Sequence, residues 1–338
     1  MRQRAKRVTL RDVADESGLS PAAVSYALRG LHVPVETQER VRDVAERLGY
    51  QVDPIARALA SGRTGTIGLL CGSLTDIWQQ GMSADLGRGL LEHDRHALIV
   101  DASNDPALEK HLANQLVDQR VDALIVLSVD ATGEHWPELA RRVPLISVGD
   151  GIQGAAAEIV FDNAGGVDTA LEHLAAAGHR HVAVLTPSSP STPGRPADAA
   201  VAKAGERLGL RIEVHMAEHD LLRAADIAEQ VLSASTPPTA IFCLADSMAY
   251  GVYAAAQRLG LRIPQHVSVL GFDDHQVSRI LTPPMSSFRW PLDDLVREVV
   301  DRTIEAIDED KRSHRVVLTP QLQERASVAP LRPGRRTR

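Results

Sequence analysis

The sequence predicts an α/β protein in which a small all-α head precedes a body of parallel sheets covered by helices on both faces. Three observations predict it. Residues 1–63 contain short amphipathic helical segments and no strand-like run. From Thr66 onward, apolar runs of strand length alternate with helical patterns, the signature of repeated βα units. The chain is 338 residues long, more than one hydrophobic core usually holds, so at least two domains are expected.

The head is built from local signals. Thr9-Leu10-Arg11-Asp12 fits a capping box, a hydroxyl followed three residues later by a carboxylate, and marks a helix start. Leu10, Val13 and Ala14 share one face of that helix. Gly18 supplies the turn, since glycine enters the left-handed region at little cost. Ser20 suits the cap of a second helix and Pro21 its first helical position. Val24, Ala27 and Leu28 then repeat the apolar spacing, and "ETQERVRDVAERLGY" continues it with Val41, Val44, Ala45 and Leu48. Three small helices around one core form a helix-turn-helix unit, although the spacing alone also fits a purely structural three-helix cap.

In the body the strand candidates are "TIGLL", "ALIVDA", "ALIVLS", "PLISVG", "EIVFDN", "VAVLT", "AIFCLA" and "SVLGF". Between them, Leu108/Leu112/Leu116, Val167/Ala170/Leu171/Leu174 and Met248/Val252/Ala255/Leu259 mark the buried faces of helices. Ligands of such sheets bind outside the carboxyl ends of the strands. That rule selects residues 74–79, Asp101, Ser128, Asp150, Asp162, Asp246 and Asp273. Asp246 equally fits a helix cap before "SMAYG", and Asp162 and Asp274 fit turn or cap positions.

Charge is divided unevenly. The formal net charge is -7, yet residues 1–63 carry 11 Lys and Arg against 8 Asp and Glu, and the remaining 275 residues carry 26 against 36. Arg2, Arg4, Lys6 and Arg7 crowd into the first seven residues. Screening limits exposed charges to roughly 8–10 Å, so the local balance governs what the head attracts. An apolar fraction of 44% and a charged fraction of 24% are ordinary for a soluble protein, and no apolar run is long enough to span a bilayer. The basic start lacks the apolar core of a secretory signal, so a cytoplasmic protein with no membrane partner is expected. Cys71 and Cys243 lie in apolar strand runs and read as buried reduced thiols.

An enzymatic reading finds little support. There is no G-x-G-x-x-G after a strand, no phosphate-binding P-loop and no nucleophile elbow, so no catalytic residue and no cofactor is expected. The 13 histidines show no metal-ligand spacing, and His179 and His181 in "GHRHVAVL" suit packing and capping at a helix–strand junction. The body by itself would also suit a solute-binding receptor of the transport type.

Several stretches together resemble the lactose-repressor (LacI/GalR) family of bacterial transcription regulators: "TLRDVADESGLSPAAVSYALRG", "ETQERV", "LGY", "ARALASGRTGTIGLL", "AAAGHRHVAVL", "LADSMAYG", "SVLGFDD" and "ERASV". They span almost the whole chain in family order. The resemblance implies a DNA-binding head at 1–63, with a hinge helix near 54–60. It implies a two-lobed core resembling periplasmic sugar-binding proteins at 64–332, and a disordered basic tail at 333–338. The lobes would be discontinuous, 65–163 with 291–318 and 164–289 with 319–332. The helix from Pro21 to Leu28 would lie in the major groove. DNA contacts would come from Thr9, Ser20, Pro21, Ala22, Ala23, Ser25, Tyr26 and Thr37, and from Ala56, Arg57 and Leu59 of the hinge. Leu59 would wedge into the minor groove. At the reading positions, Pro21 and Ala22 offer only apolar contact, suited to thymine methyls, while Tyr26 offers one hydroxyl. The implied partners are a pseudo-palindromic double-stranded operator, a second copy of the chain and a small polar effector, a sugar first of all. The effector residues would be Trp78, Asp101, Ser128, Asp150, Arg195, Asp246, Asp273 and Trp290. Ala245 stands where sugar-responsive relatives often carry Asn. The end "ERASVAPLRPGRRTR" contains no leucine heptad, which favours a homodimer over a tetramer.

Overall fold

The computed structural model describes residues 8–28, 30–31, 33–50, 62–187, 197–217, 221–313 and 315–331. The hinge stretch with Ala56, Arg57 and Leu59, the loop bearing Arg195, the basic start and the tail lie outside the described residues. Two compact units are present, Met1–Thr64 and Gly65–Arg338.

Among the described residues of the first unit, three helices run α1 (Leu10–Ser17), α2 (Pro21–Leu28) and α3 (Val35–Leu48). The capping box forms: the Thr9 amide donates to Asp12 Oδ2 at 2.7 Å and the Asp12 amide donates to Thr9 Oγ1 at 3.3 Å. Gly18 ends α1 at φ 68°. The Ser20 hydroxyl accepts the Ala23 amide at 3.2 Å and so caps α2. Val13, Ala14, Val24, Ala27, Val41, Val44 and Ala45 make the buried core of this unit.

The second unit holds two six-stranded sheets. Its elements in chain order are β1 (Thr66–Cys71), α4 (Ile77–Leu91), β2 (His96–Asp101), α5 (Pro106–Asp118), β3 (Ala123–Val126), α6 (Trp136–Arg142), β4 (Leu145–Gly149) and β5 (Ala157–Phe161). There follow α7 (Asn163–Ala176), β6 (His181–Pro187), α8 (Ala197–Leu208), β7 (Arg211–Ala217), α9 (Leu221–Leu232), β8 (Ala240–Cys243), α10 (Asp246–Arg258) and β9 (Ser268–Phe272). The chain closes with β10 (Ser286–Arg289), α11 (Leu292–Asp308), β11 (Val316–Leu318) and β12 (Gln321–Gln323). One sheet is ordered β2-β1-β3-β4-β5-β11 and the other β7-β6-β8-β9-β10-β12, the same arrangement twice. Every pairing in the first is parallel; in the second, only β12 runs antiparallel, against β10. Parallel strands covered on both faces read as continuous apolar runs, and β3, β4, β8 and β9 are almost wholly buried.

The backbone passes between the sheets at three places. β5 ends at Phe161 and α7 starts at Asn163; β10 ends at Arg289 and α11 starts at Leu292; β11 ends at Leu318 and β12 starts at Gln321. Four strands, β7, β10, β11 and β12, go beyond the eight legible in the sequence. β10 carries two fully buried serines in place of apolar residues, and β11 and β12 are three residues each. Among the described residues no helix is long and apolar enough to cross a membrane. Cys71 and Cys243 are buried free thiols, and burial pushes the Cys71 thiol up to about 11.

Candidate functional site

The first unit exposes the outer face of α2. Pro21 and Ala22 are exposed at its start and Tyr26 is 42% exposed one turn further on. Thr9 and Ser20 lie at the surface with their hydroxyls engaged in the caps of α1 and α2, while Ala23, Ser25 and Thr37 are half-buried. The surface of α2 is therefore short-chained and almost apolar, with the Tyr26 phenol as its one long polar group.

The second unit carries a cleft at the carboxyl ends of its parallel strands. Its walls are Asp76, Trp78 and Gln79 after β1, Leu127 and Ser128 after β3, Val148, Gly149 and Asp150 at β4, and Phe161 with Asn163 at β5. From the other sheet come Leu244 and Ala245 after β8, Phe272 and Asp273 at β9, and Trp290 after β10. Trp78, Ser128, Asp150, Asp273 and Trp290 thus meet around one space. Phe161 and Asn163 join them and were not among the sequence candidates. The signal for Phe161 was its place at the end of a strand run, in a chain with only four phenylalanines.

Local chemistry sets each wall. Asp76 caps α4 by accepting the Trp78 amide at 2.9 Å, which fixes the start of the helix and the indole with it. The Trp78 and Phe161 rings meet edge to face at 5.4 Å, and Phe161 lies 4.6 Å from the Trp290 ring. Gly149 turns the chain toward Asp150 at φ 98°, a conformation in which any side chain would be strained.

The wall formed by Asp273 stands on a strained loop. Asp273 and Asp274 have φ of 111° and 49°, in the left-handed region that non-glycine residues avoid. A buried polar network holds them there. The Asp274 carboxylate is fully buried and pairs with Arg289 at 2.6 Å, Arg325 at 2.6 Å and Arg279 at 3.3 Å. Burial opposes its ionisation, but the hydrogen bonds from Arg325 and Arg289 win and hold it below the ordinary range.

Asp246 lies under the same loop and does not line the cleft. It is the first residue of α10, with Ala245 in the cap position. Its carboxylate accepts the Ser278 hydroxyl at 2.5 Å, the Ser287 hydroxyl at 2.6 Å and the His275 amide at 2.9 Å. Burial pushes it up to about 7 against those hydrogen bonds. Asp101 also stays out of the lining; its Oδ1 accepts the amides of Ser103 at 2.8 Å and Leu74 at 3.2 Å. Asp162 caps α7 through the Gly165 amide at 2.9 Å. On the first sheet, Glu109 of α5 is fully buried beneath the loop after β3 and accepts the amides of Val129 and Asp130. Burial pushes it, too, up to about 7. His179 bonds to Thr239 at 2.9 Å and His181 to Glu213 at 2.8 Å, both within the second sheet region.

Comparison with known proteins follows this division. Residues 9–53 match the model for bacterial regulatory proteins of the lacI family, and residues 171–328 match a periplasmic binding protein-like domain. The ribose operon repressor of Escherichia coli (strain K12) is 29% identical over 333 residues, covering 95% of this chain and 99% of the relative. Catabolite control protein A of Priestia megaterium is 30% identical over 305 residues, covering 85% of this chain and 89% of the relative. A crystal structure of the lac repressor dimer bound to operator and the anti-inducer ONPF superposes with a TM-score of 0.85, covering 96% of this chain and 100% of that chain at 24% identity, which shows the shared fold. A helix-turn-helix unit and a twin-sheet body, joined in one chain and alike over nearly full length to known repressors, place this protein in the lacI family of bacterial regulatory proteins.

Proposed function

We propose that the chain is a sequence-specific transcriptional repressor whose operator affinity is set by a small polar ligand, a sugar first of all, held in the cleft between the two sheets. The observation that carries this reading is the conjunction, in one polypeptide, of a helix-turn-helix unit and a cleft lined by aromatic rings and carboxylates. Relatives named as repressors support a regulator rather than an enzyme, and a protein that acts on a bacterial operator would work in the cytoplasm. The head, with its hinge near 54–60, would span 1–63 and the core 64–332. Two copies on a pseudo-palindrome would supply the phosphate contacts that one small head lacks.

In this reading α2 lies in the major groove. Pro21 and Ala22 meet thymine methyls, Tyr26 bonds a base edge, Thr9, Ser20, Ala23, Ser25 and Thr37 lie along the backbone, and Ala56, Arg57 and Leu59 enter the minor groove. Trp78, Phe161 and Trp290 give faces to a sugar ring, Asp150 and Asp273 accept its hydroxyls, and Arg195 completes the site. A stretch of seven residues such as 54–60 is too short to hold a helix alone in water, which makes it a two-state element that the ligand can bias.

The full-length protein tests this. Selection from random duplexes followed by anisotropy titration should yield one preferred palindrome, with Tyr26→Ala weakening that duplex by about 1–3 kcal/mol and unrelated DNA little. Absence of any preferred duplex would leave the transport-receptor reading in its place.

A further inference from the structure

The charge around the cleft selects among ligands, an argument that rests on the cleft being the effector site. Its described lining contains the carboxylates of Asp76, Asp150 and Asp273 and no lysine, arginine or histidine. Arg289, next to Trp290, is turned away: its Nε and Nη2 lie 2.8 Å and 2.6 Å from Asp274 Oδ2. Arg195, outside the described residues, would bring one guanidinium against three carboxylates. The excess of negative charge survives it.

Helix N-termini are the other common source of positive potential. Three border this cleft, and each already carries a carboxylate. Asp76 caps α4 and Asp162 caps α7, and Asp246 sits in the first turn of α10. An incoming anion would meet a carboxyl group at each of these ends, with one amide already taken at α4 and one at α7. The apolar part of the lining is aromatic, which suits the C–H faces of a sugar ring and the face-on approach of a cation.

We propose that the cleft takes a ring-bearing polyol that is uncharged or carries an amino group, and that it rejects counterparts bearing a phosphate or a carboxylate. The carboxylates accept hydroxyl or ammonium hydrogens, while a phosphate meets no cationic side chain among the described lining and an excess of like charge.

The test uses the full-length protein and its tryptophan fluorescence, since Trp78 and Trp290 line the cleft. The probes are matched sets: ribose with ribose 5-phosphate; glucose with glucosamine, glucose 6-phosphate and glucuronate; galactose with its amino, phosphate and uronate forms; and cellobiose and lactose. At least one uncharged or amino probe should saturate the signal, with its phosphate or uronate counterpart weaker by about a hundredfold or more. Asp150→Asn and Asp273→Asn should each narrow that ratio by about tenfold, because each removes one repelling charge. Tighter binding of an anionic counterpart, absence of any uncharged or amino binder, or a ratio unmoved in both variants overturns the inference. Operator titration with the bound probe separates the two readings. An anion that shifts operator affinity sinks only the charge argument, whereas a saturating binder of any charge that leaves operator affinity unchanged sinks the effector role of the cleft.

Discussion

The two sheets have the same strand order, yet they hold the cleft by different means. On the first sheet most fixing is short-range: Asp76 reaches Trp78, Asp101 reaches Ser103, Asp105 reaches Ala107 and Asp130 reaches Thr132, each two residues on. Such turns form within their own loop and ask nothing of the neighbouring ones. Two long-range ties join them: Glu109 serves the loop after β3, and Asp101 also accepts the Leu74 amide of the loop after β1. On the second sheet, Asp246 joins α10 to His275, Ser278 and Ser287, and Asp274 joins Arg279, Arg289 and Arg325. One face of the cleft is therefore a set of loops tied mostly within themselves, and the other is a single block locked by buried polar groups. A repeated topology does not repeat its energetics.

The largest break in that comparison should come from Asp274→Ala. It leaves Arg289 and Arg325 without the carboxylate they share, and removing one side of a buried pair costs about 3–5 kcal/mol. Arg289 is 42% exposed, which moves the expectation to the lower end. Urea unfolding would measure it, and a loss below about 1 kcal/mol would mean that the block is not locked by this cluster.

A pH series probes both sides next. Glu109 and Asp246 are raised to about 7 from ordinary values of 4.5 and 3.8, so the folded state keeps protons that the unfolded state releases. Stability should therefore fall as pH rises from about 4 to about 7, and level off above that. Glu109→Gln and Asp246→Asn should each flatten the slope by about 2–3 kcal/mol across the window. Asp274 has the opposite sign, its contribution being lost only as pH drops below the ordinary carboxylate range, outside this window. A wild-type profile that rises between pH 4 and 7 would contradict the assignment.

Double-mutant cycles sharpen the contrast at smaller magnitude. Asp246→Asn with Asp274→Ala should couple by about 1–3 kcal/mol, because they share one loop, while Asp76→Ala with Asp130→Ala should add to within about 0.5 kcal/mol. Asp76→Ala alone should cost about 1 kcal/mol as a lost helix cap. Equal coupling on the two sides would erase the distinction.

These differences also mark what was legible in the sequence. The head was readable because its determinants lie within a few residues of each other: Thr9 with Asp12, Gly18 after α1, and the apolar stripe of α3. The parallel strands were readable because burial on both faces makes them continuous runs of Val, Ile and Leu. β10 was not, since its Ser286 hydroxyl accepts the Arg325 amide and its Ser287 hydroxyl donates to Asp246, about forty residues away in opposite directions. Strand-end reasoning found Trp78, Ser128, Asp150 and Asp273 of the cleft, and family resemblance added Trp290. The same rule included Asp101 and Asp246, because it locates a strand end but not the direction of a side chain. Nothing in the spacing of Asp274, Arg289 and Arg325 announces a cluster that only the fold assembles.

The three passages of the chain between the sheets have a mechanical consequence. They consist of one residue after β5, two after β10 and two after β11, so none has slack to spare. All leave from neighbouring strands: β5 beside β11 on one sheet, β10 beside β12 on the other. The sheets are thus strapped together along one side, as a book is along its spine, and sliding is suppressed while opening is not. Strand β2 is four places from β5 across its sheet. With strands about 4.8 Å apart its lever arm is about 20 Å, and each degree of opening carries it about 0.3 Å. A ligand that draws the walls together by a few degrees would move that far edge by an ångström or more, enough to change side-chain packing there.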